Sequence, residues 1–232
     1  MSSLQDSTVF IVEGSSAGRK ELTHLLGPLG VATQAFASAE DFLEAYEPEW
    51  AGCLLLELDL PGMSGADLQA RLAADEIALP VVFVAAEADV ATVVPLMKAG
   101  AVEFLSRPCE ETALCEGVRH ALLLDDRRRR QHALRRDVRA RVATLTEGER
   151  RVMEMLIDGQ PNKCIAVALE ISRRTVDSRR ATIMKKMQAR SPVELAQLLT
   201  LVRTIEEWND RRLAESRGAT SGLAQQSSLA AS

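Results

Sequence analysis

Short apolar runs and amphipathic stretches alternate through the first half of the chain. Residues 9–12 read as a buried strand, and residues 17–26 as a helix closed by Gly27-Pro28. Residues 31–37 form a second strand. Residues 39–46 form a helix with Ser38 as N-cap. Residues 53–58 are a continuous apolar strand interrupted near its end by Glu57. The turn 61–65 and a helix over 66–74 follow. Residues 80–86, 89–99 and 101–105 add a strand, a helix and a fifth strand. Five strand-then-helix units predict a parallel sheet covered by helices on both faces, with reacting groups at the carboxyl ends of the strands.

From residue 110 the pattern stays helical, without Gly or Pro after Gly117, through about residue 141. Leu114, Val118, Ala121 and Leu122 make an apolar stripe that Leu134, Val138, Val142 and Leu145 resume, with Asp125, Asp126 and Arg127–Arg130 between them. One long linker helix is expected. The stripe suggests pairing with a second copy, and a solvated helix is the competing reading. Three capped helices come next. Thr146 and Glu149 have capping-box spacing, residues 162–169 form a short helix, and Ser172 caps a helix over 173–187. Ser191, Pro192 and Glu194 open a fourth. Residues 214–232, rich in Ala, Ser, Gly and Gln, read as a disordered tail. The expected domains are 1–124, a linker at 125–143, a four-helix domain at 144–205 and a tail at 206–232.

Charge divides the same way. Residues 1–124 carry 6 Lys+Arg and 19 Asp+Glu, a net −13, whereas residues 142–203 carry 11 and 7, a net +4. Only the second half suits a phosphate polyanion. Cys53, Cys109, Cys115 and Cys164 show no metal spacing, and His24, His120 and His132 do not cluster, so zinc and histidine catalysis are not expected. No apolar run approaches the roughly 18 residues of a membrane span, and residues 1–8 show no secretion signal. A cytoplasmic location without membrane attachment is expected.

A short helix, a brief turn and a longer helix with a polar outer face is the helix-turn-helix arrangement. Asn162, Lys163, Arg173 and Arg174 suit phosphate contacts. Asp177, Ser178 and Ala181 are placed to approach base edges, with Lys185 on the same face, and Arg179 and Arg180 suit either backbone or bases. A four-helix bundle that binds only protein shares this pattern. The runs 145–150, 159–166, 171–176 and 186–187 resemble the LuxR-type helix-turn-helix of FixJ/NarL response regulators. The resemblance implies binding to double-stranded DNA, commonly as a homodimer, with positions just after Thr175 and Val176 reading bases. RNA polymerase is a further partner to expect of such a regulator.

Residues 8–124 resemble a receiver domain of the FixJ type, through Phe10-Ile11-Val12, residues 36–43, Leu60-Pro61-Gly62-Met63-Ser64-Gly65, Leu79–Val82, Met97–Ala101 and Glu103-Phe104-Leu105. The resemblance implies a flavodoxin-like (βα)5 fold and phosphoryl transfer onto an Asp, helped by Mg²⁺, a hydroxyl and a Lys. This chain departs from that pattern. The paired acids after the first strand are Glu13 and Gly14, and the acceptor is Glu57. The hydroxyl position is Ala85, and the Lys position is Arg107 before Pro108. Phe104 alone keeps the type of its position, an aromatic switch. Asp59 is the nearest substitute acid. No enzymatic activity and no cofactor are expected, the Mg²⁺ site being one carboxylate short. Glu57 is read either as a fixed partial mimic of a phosphorylated Asp, paired with Arg107 in a carboxylate fork, or as part of a structural ion pair. The expected function is DNA-binding transcription regulation that does not wait for phosphorylation. The alternative is a phosphorelay regulator driven by a sensor kinase through an atypical acceptor.

Overall fold

Strands β1 (Thr8–Val12), β2 (Ala32–Phe36), β3 (Gly52–Glu57), β4 (Val81–Ala85) and β5 (Glu103–Ser106) make one parallel sheet in the order β2-β1-β3-β4-β5. The computed structural model describes residues 7–86 and 89–201. Side chains alternate across the strands, so two cores form. Phe10, Val12, Leu54, Leu56 and Phe83 meet α2 (Ala39–Ala45), α3 (Gly65–Ala74) and α4 (Val90–Lys98) on one face. Val9, Ile11, Cys53, Leu55, Val82 and Val84 meet α1 (Ser16–Leu25) and the first part of α5 (Glu111–Ala143) on the other. Burial on both faces explains why β3 is a continuous apolar run instead of an alternating one. The strand order reverses direction between β1 and β3, which makes their carboxyl ends the natural place for a site.

The expected elements are present, with ends differing by one or two residues, the ordinary fraying of helix and strand termini. One expectation changes. The apolar stripe of α5 is spent inside the molecule. Leu114, Val118, Ala121 and Leu122 are buried against the sheet, while Val138 and Leu145 are buried in the second core. Leu123 and Leu134 remain exposed. The stripe therefore gives no continuous seam for a second copy. Asp125, in the charged interruption, is buried and accepts a hydrogen bond from the Gly52 N–H at 2.9 Å. It fastens α5 to the start of β3, where a Cβ on Gly52 would lie 1.7 Å from the Thr8 carbonyl oxygen.

The chain divides into two compact units between Arg130 and Gln131. In the second, α6 (Glu147–Ile157), α7 (Asn162–Ala168), α8 (Arg173–Met187) and a helix α9 from residue 192 through 201 surround Val152, Leu156, Ile165, Val176, Ile183, Met187, Leu195 and Leu199. The capping box forms as its spacing predicts. Glu149 N–H donates to Thr146 Oγ1 at 3.3 Å, and Thr146 N–H donates to Glu149 Oε2 at 2.7 Å. Ser172 Oγ accepts from Thr175 N–H at 3.0 Å to start α8, and Ser191 Oγ accepts from Glu194 N–H at 3.1 Å to start α9. The turn between α7 and α8 passes through Glu170 at φ +54°. The expected tail at 206–232, and the last residues of the expected four-helix domain from 202 on, lie outside the described residues.

Candidate functional site

Two sites emerge, one in each unit. The first lies at the carboxyl ends of β1 and β3. Val12 pairs in register with Leu56, so the next residues, Glu13 and Glu57, fall side by side. Both are buried. Glu13 turns back over the first turn of α1, and its Oε1 accepts the Ser15 N–H at 2.7 Å. Gly18 permits this, since a Cβ there would lie 2.7 Å from the Glu13 carboxyl carbon. Arg107, just beyond β5, reaches in above them. Its Nη2 lies 2.6 Å from Glu13 Oε2 and 3.2 Å from Glu57 Oε2, and its Nη1 lies 3.1 Å from Glu21 Oε2 on α1. Arg19 Nη1 donates to the carbonyls of Glu13 and Gly14 at 2.6 and 2.9 Å.

This differs from the fork expected between Arg107 and Glu57. The guanidinium is shared among three carboxylates, and its shortest bond goes to Glu13. Glu13 is fixed beforehand by Ser15, whereas Glu57 sits at the end of a strand with one methylene more than an Asp. Ala85 is fully buried and brings no hydroxyl. Phe104 is half-buried, stacked on Phe83 with ring centroids 6.4 Å apart. Asp59 is exposed and has no hydrogen bond or ion pair among the described residues.

Burial pushes the Glu57 carboxyl up to about 7, reinforced by the hydrogen bond and charge of Glu13, while Arg107 acts in the opposite direction. The folded pocket thus keeps a proton that the unfolded chain has already lost. This group's contribution to stability falls as pH rises from its ordinary 4.5 to about 7. Glu57→Gln removes that titration. The variant is expected to gain stability relative to the parent between about pH 5 and about pH 8, measured by urea unfolding at each pH. A difference that stays constant across the range would contradict the assignment.

The Mg²⁺ of a receiver needs hard oxygen ligands with charge to spare. Glu13 spends one oxygen on Ser15 and the other on Arg107. Gly14 offers none, and a Cβ placed there would lie 2.9 Å from Pro61 Cδ. Glu57 leans on Glu13. These residues do not fit the ion, and among the described residues no group of three or more His, Cys, Asp or Glu is arranged to hold a metal.

The second site is the outer face of α8. Arg173, Arg174, Asp177, Ser178, Ala181 and Lys185 are exposed, as is Lys163 on α7. Thr175 is half-buried, its N–H satisfied by Ser172. Arg179 and Arg180 are also half-buried and turn toward neighbouring helices. Arg179 Nη1 donates to the Gly148 carbonyl of α6 at 3.4 Å, and Arg180 Nη1 donates to Asn162 Oδ1 of α7 at 3.4 Å. Asn162 Nδ2 in turn donates to Asp177 Oδ1 at 2.7 Å. Sequence reasoning missed Glu21, Arg19, Gly18 and this Asn162–Asp177 bond. A glycine inside α1 was the one available signal, since glycine in a helix interior costs stability and marks a close approach.

A parallel 2-1-3-4-5 sheet with an acidic site at its switch point, followed by a helix-turn-helix whose second helix is capped by Ser172, defines a receiver joined to a DNA-binding domain. Residues 9–119 match the family described as response regulator receiver domain, and residues 143–199 match bacterial regulatory proteins, luxR family. The transcriptional regulatory protein FixJ of Rhizobium meliloti (strain 1021) is 38% identical over 204 residues, spanning 84% of this chain and 96% of that protein. Nodulation protein W of Bradyrhizobium diazoefficiens is 36% identical over 190 residues, spanning 82% and 84%. The solved structure of response regulator StyR is 38% identical, with a TM-score of 0.77 over 84% of this chain and 98% of that one. Full-length FixJ from B. japonicum is 34% identical, with a TM-score of 0.53 over 86% and 98%. The chain belongs to the response regulators that carry a LuxR-type DNA-binding domain, a family of transcriptional regulators and not of enzymes. Among the described residues no helix is long and apolar enough to cross a membrane.

Proposed function

We propose that this response regulator is a cytoplasmic, sequence-specific transcription regulator that binds double-stranded DNA as a homodimer without waiting for phosphorylation. The observation that carries the reading is Arg107 shared among Glu13, Glu57 and Glu21. The guanidinium supplies the positive charge that the pocket would otherwise draw from a metal. The acceptor position holds a Glu, and displacement of a nucleophile by about 1 Å can cost 10²-fold in rate. With its carboxyl near 7, Glu57 carries only part of one negative charge at neutral pH, against nearly two on a phosphorylated Asp. That favours a fixed ion cluster over a mimic of phosphorylation. Lys163, Arg173, Arg174 and Lys185 would contact phosphates, and Asp177, Ser178 and Ala181 would face base edges. Arg179 and Arg180 serve to position neighbouring residues. RNA polymerase is the further partner this reading implies.

The full chain should be incubated with acetyl phosphate and Mg²⁺, analysed by intact-mass spectrometry, and assayed for operator binding before and after. The expected result is no phosphoryl adduct and unchanged affinity. A phosphorylated carboxylate at Glu57 or Asp59, with a change in DNA affinity, would restore the sensor-kinase phosphorelay reading.

A further inference from the structure

The outer face of α8 carries one side chain whose charge is wrong for a polyanion. Asp177 is exposed on the same face as Arg174, Ser178 and Ala181. A carboxylate carried toward phosphates is repelled. It belongs in a DNA-reading face only when its charge is partly met and it is aimed at a donor. The structure supplies the first condition. Asn162 Nδ2 donates to Asp177 Oδ1 at 2.7 Å, and Asn162 Oδ1 accepts from Arg180 Nη1 at 3.4 Å. The two partners fix the amide's orientation, since the reverse would set oxygen against carboxylate and NH₂ against guanidinium. Asn162 therefore passes the polarisation of Arg180 on to Asp177. One carboxylate oxygen is held, and the other, Oδ2, has no protein partner among the described residues.

The second condition follows from the chemistry of the groove. Only cytosine N4 and adenine N6 donate along the major-groove edge. Adenine sets the N7 acceptor beside N6, where it opposes a carboxylate. Cytosine has no acceptor on that edge. A carboxylate with one free oxygen is therefore matched to cytosine. Because Asp177 is already held, little of its rotamer freedom is lost on binding. We infer that Asp177 selects a C·G pair at one position of the operator, and that Asn162 and Arg180 are the positioning residues that hold its carboxylate for this. The inference rests on the DNA-binding reading above.

The test is selection from random duplexes with the full-length chain, followed by titration of duplexes differing at one base pair. The parent is expected to favour cytosine at one position by about 5- to 100-fold over other bases. Asp177→Ala flattens that position alone and leaves affinity for unrelated DNA equal or higher. Asp177→Asn shifts it toward adenine, whose N6 and N7 an amide can satisfy together. Asn162→Ala weakens the cytosine preference without changing the salt dependence of binding. All substituted side chains are at least partly exposed, and circular dichroism melts check that folding is kept. An unchanged profile for Asp177→Ala overturns the inference, and an unchanged one for Asn162→Ala overturns the positioning role. Loss spread evenly over all positions would mark a merely structural role and also overturn it. A parent that selects no sequence overturns the regulator reading itself, whereas a selective parent with an indifferent Asp177→Ala overturns only this step.

Discussion

Replacing Arg107 with alanine is expected to destabilise the first unit by about 3 kcal/mol and lower its melting temperature by about 10 °C. Arg107 is the cation paired with Glu13 at 2.6 Å, and the Glu13 side chain is only 6% exposed. Without the guanidinium, Glu13 keeps the Ser15 N–H but loses its counter-charge, and Glu57 remains beside it. A charge left buried without its partner costs far more than the pair contributed when complete. Arg107→Lys is the milder test. An ammonium keeps the charge but cannot spread it over three carboxylates as a planar fork does, so about 1 kcal/mol is lost.

The Arg107→Ala defect should also depend on pH. Arg107 holds the Glu57 carboxyl down against burial and Glu13, so removing it lets Glu57 keep its proton to higher pH. The penalty is then smaller at about pH 5, where Glu57 is protonated in either protein, than at about pH 8. Thermal melts followed by circular dichroism at both values measure this. An unchanged melting temperature would mean that Arg107 is solvated and the cluster contributes nothing.

That cluster also shows how far sequence reasoning reached. The sheet and its helices were readable because the central strands β1, β3 and β4 are buried on both faces and the helices on one, a demand that leaves its mark on local sequence. The altered pocket positions were readable because resemblance to receivers places Glu13, Gly14, Glu57, Ala85 and Arg107 at strand ends. What local pattern could not supply was the partner of each charge. Arg107 and Glu21 are separated by most of the sheet's connections, and they meet only because α1 and the end of β5 share one edge of the pocket. Arg107 does pair with Glu57, as the sequence reading expected, but its shortest bond goes to Glu13, which Ser15 fixes first. The α5 stripe is a related case. Periodicity shows that a face is apolar, but the fold decides whether a sheet, a second core or another copy covers it. The Asn162–Asp177 bond likewise joins residues of two different helices, which no local pattern relates.

Operator affinity is expected to fall by about 10³-fold between about 50 and about 200 mM salt. Lys163, Arg173, Arg174 and Lys185 are exposed in each protomer, so the proposed homodimer brings enough cations for at least about six phosphate contacts. Each neutralised phosphate releases counterions and adds about 0.9 to the slope of log affinity against log salt. The acidic first unit, with its net −13 over residues 1–124, makes no favourable contribution of this kind. Arg173→Ala with Arg174→Ala should lower affinity on operator and unrelated DNA alike, and should reduce the slope by about 2 per protomer. Fluorescence-anisotropy titrations over a salt series give both numbers. A flat salt response in the parent would mean that α8 does not face the phosphate backbone. A specific loss confined to one base pair would mean that these arginines read sequence, the role proposed instead for Asp177. The two kinds of variant should therefore separate cleanly, because a phosphate carries charge without sequence and a base edge carries sequence with little charge.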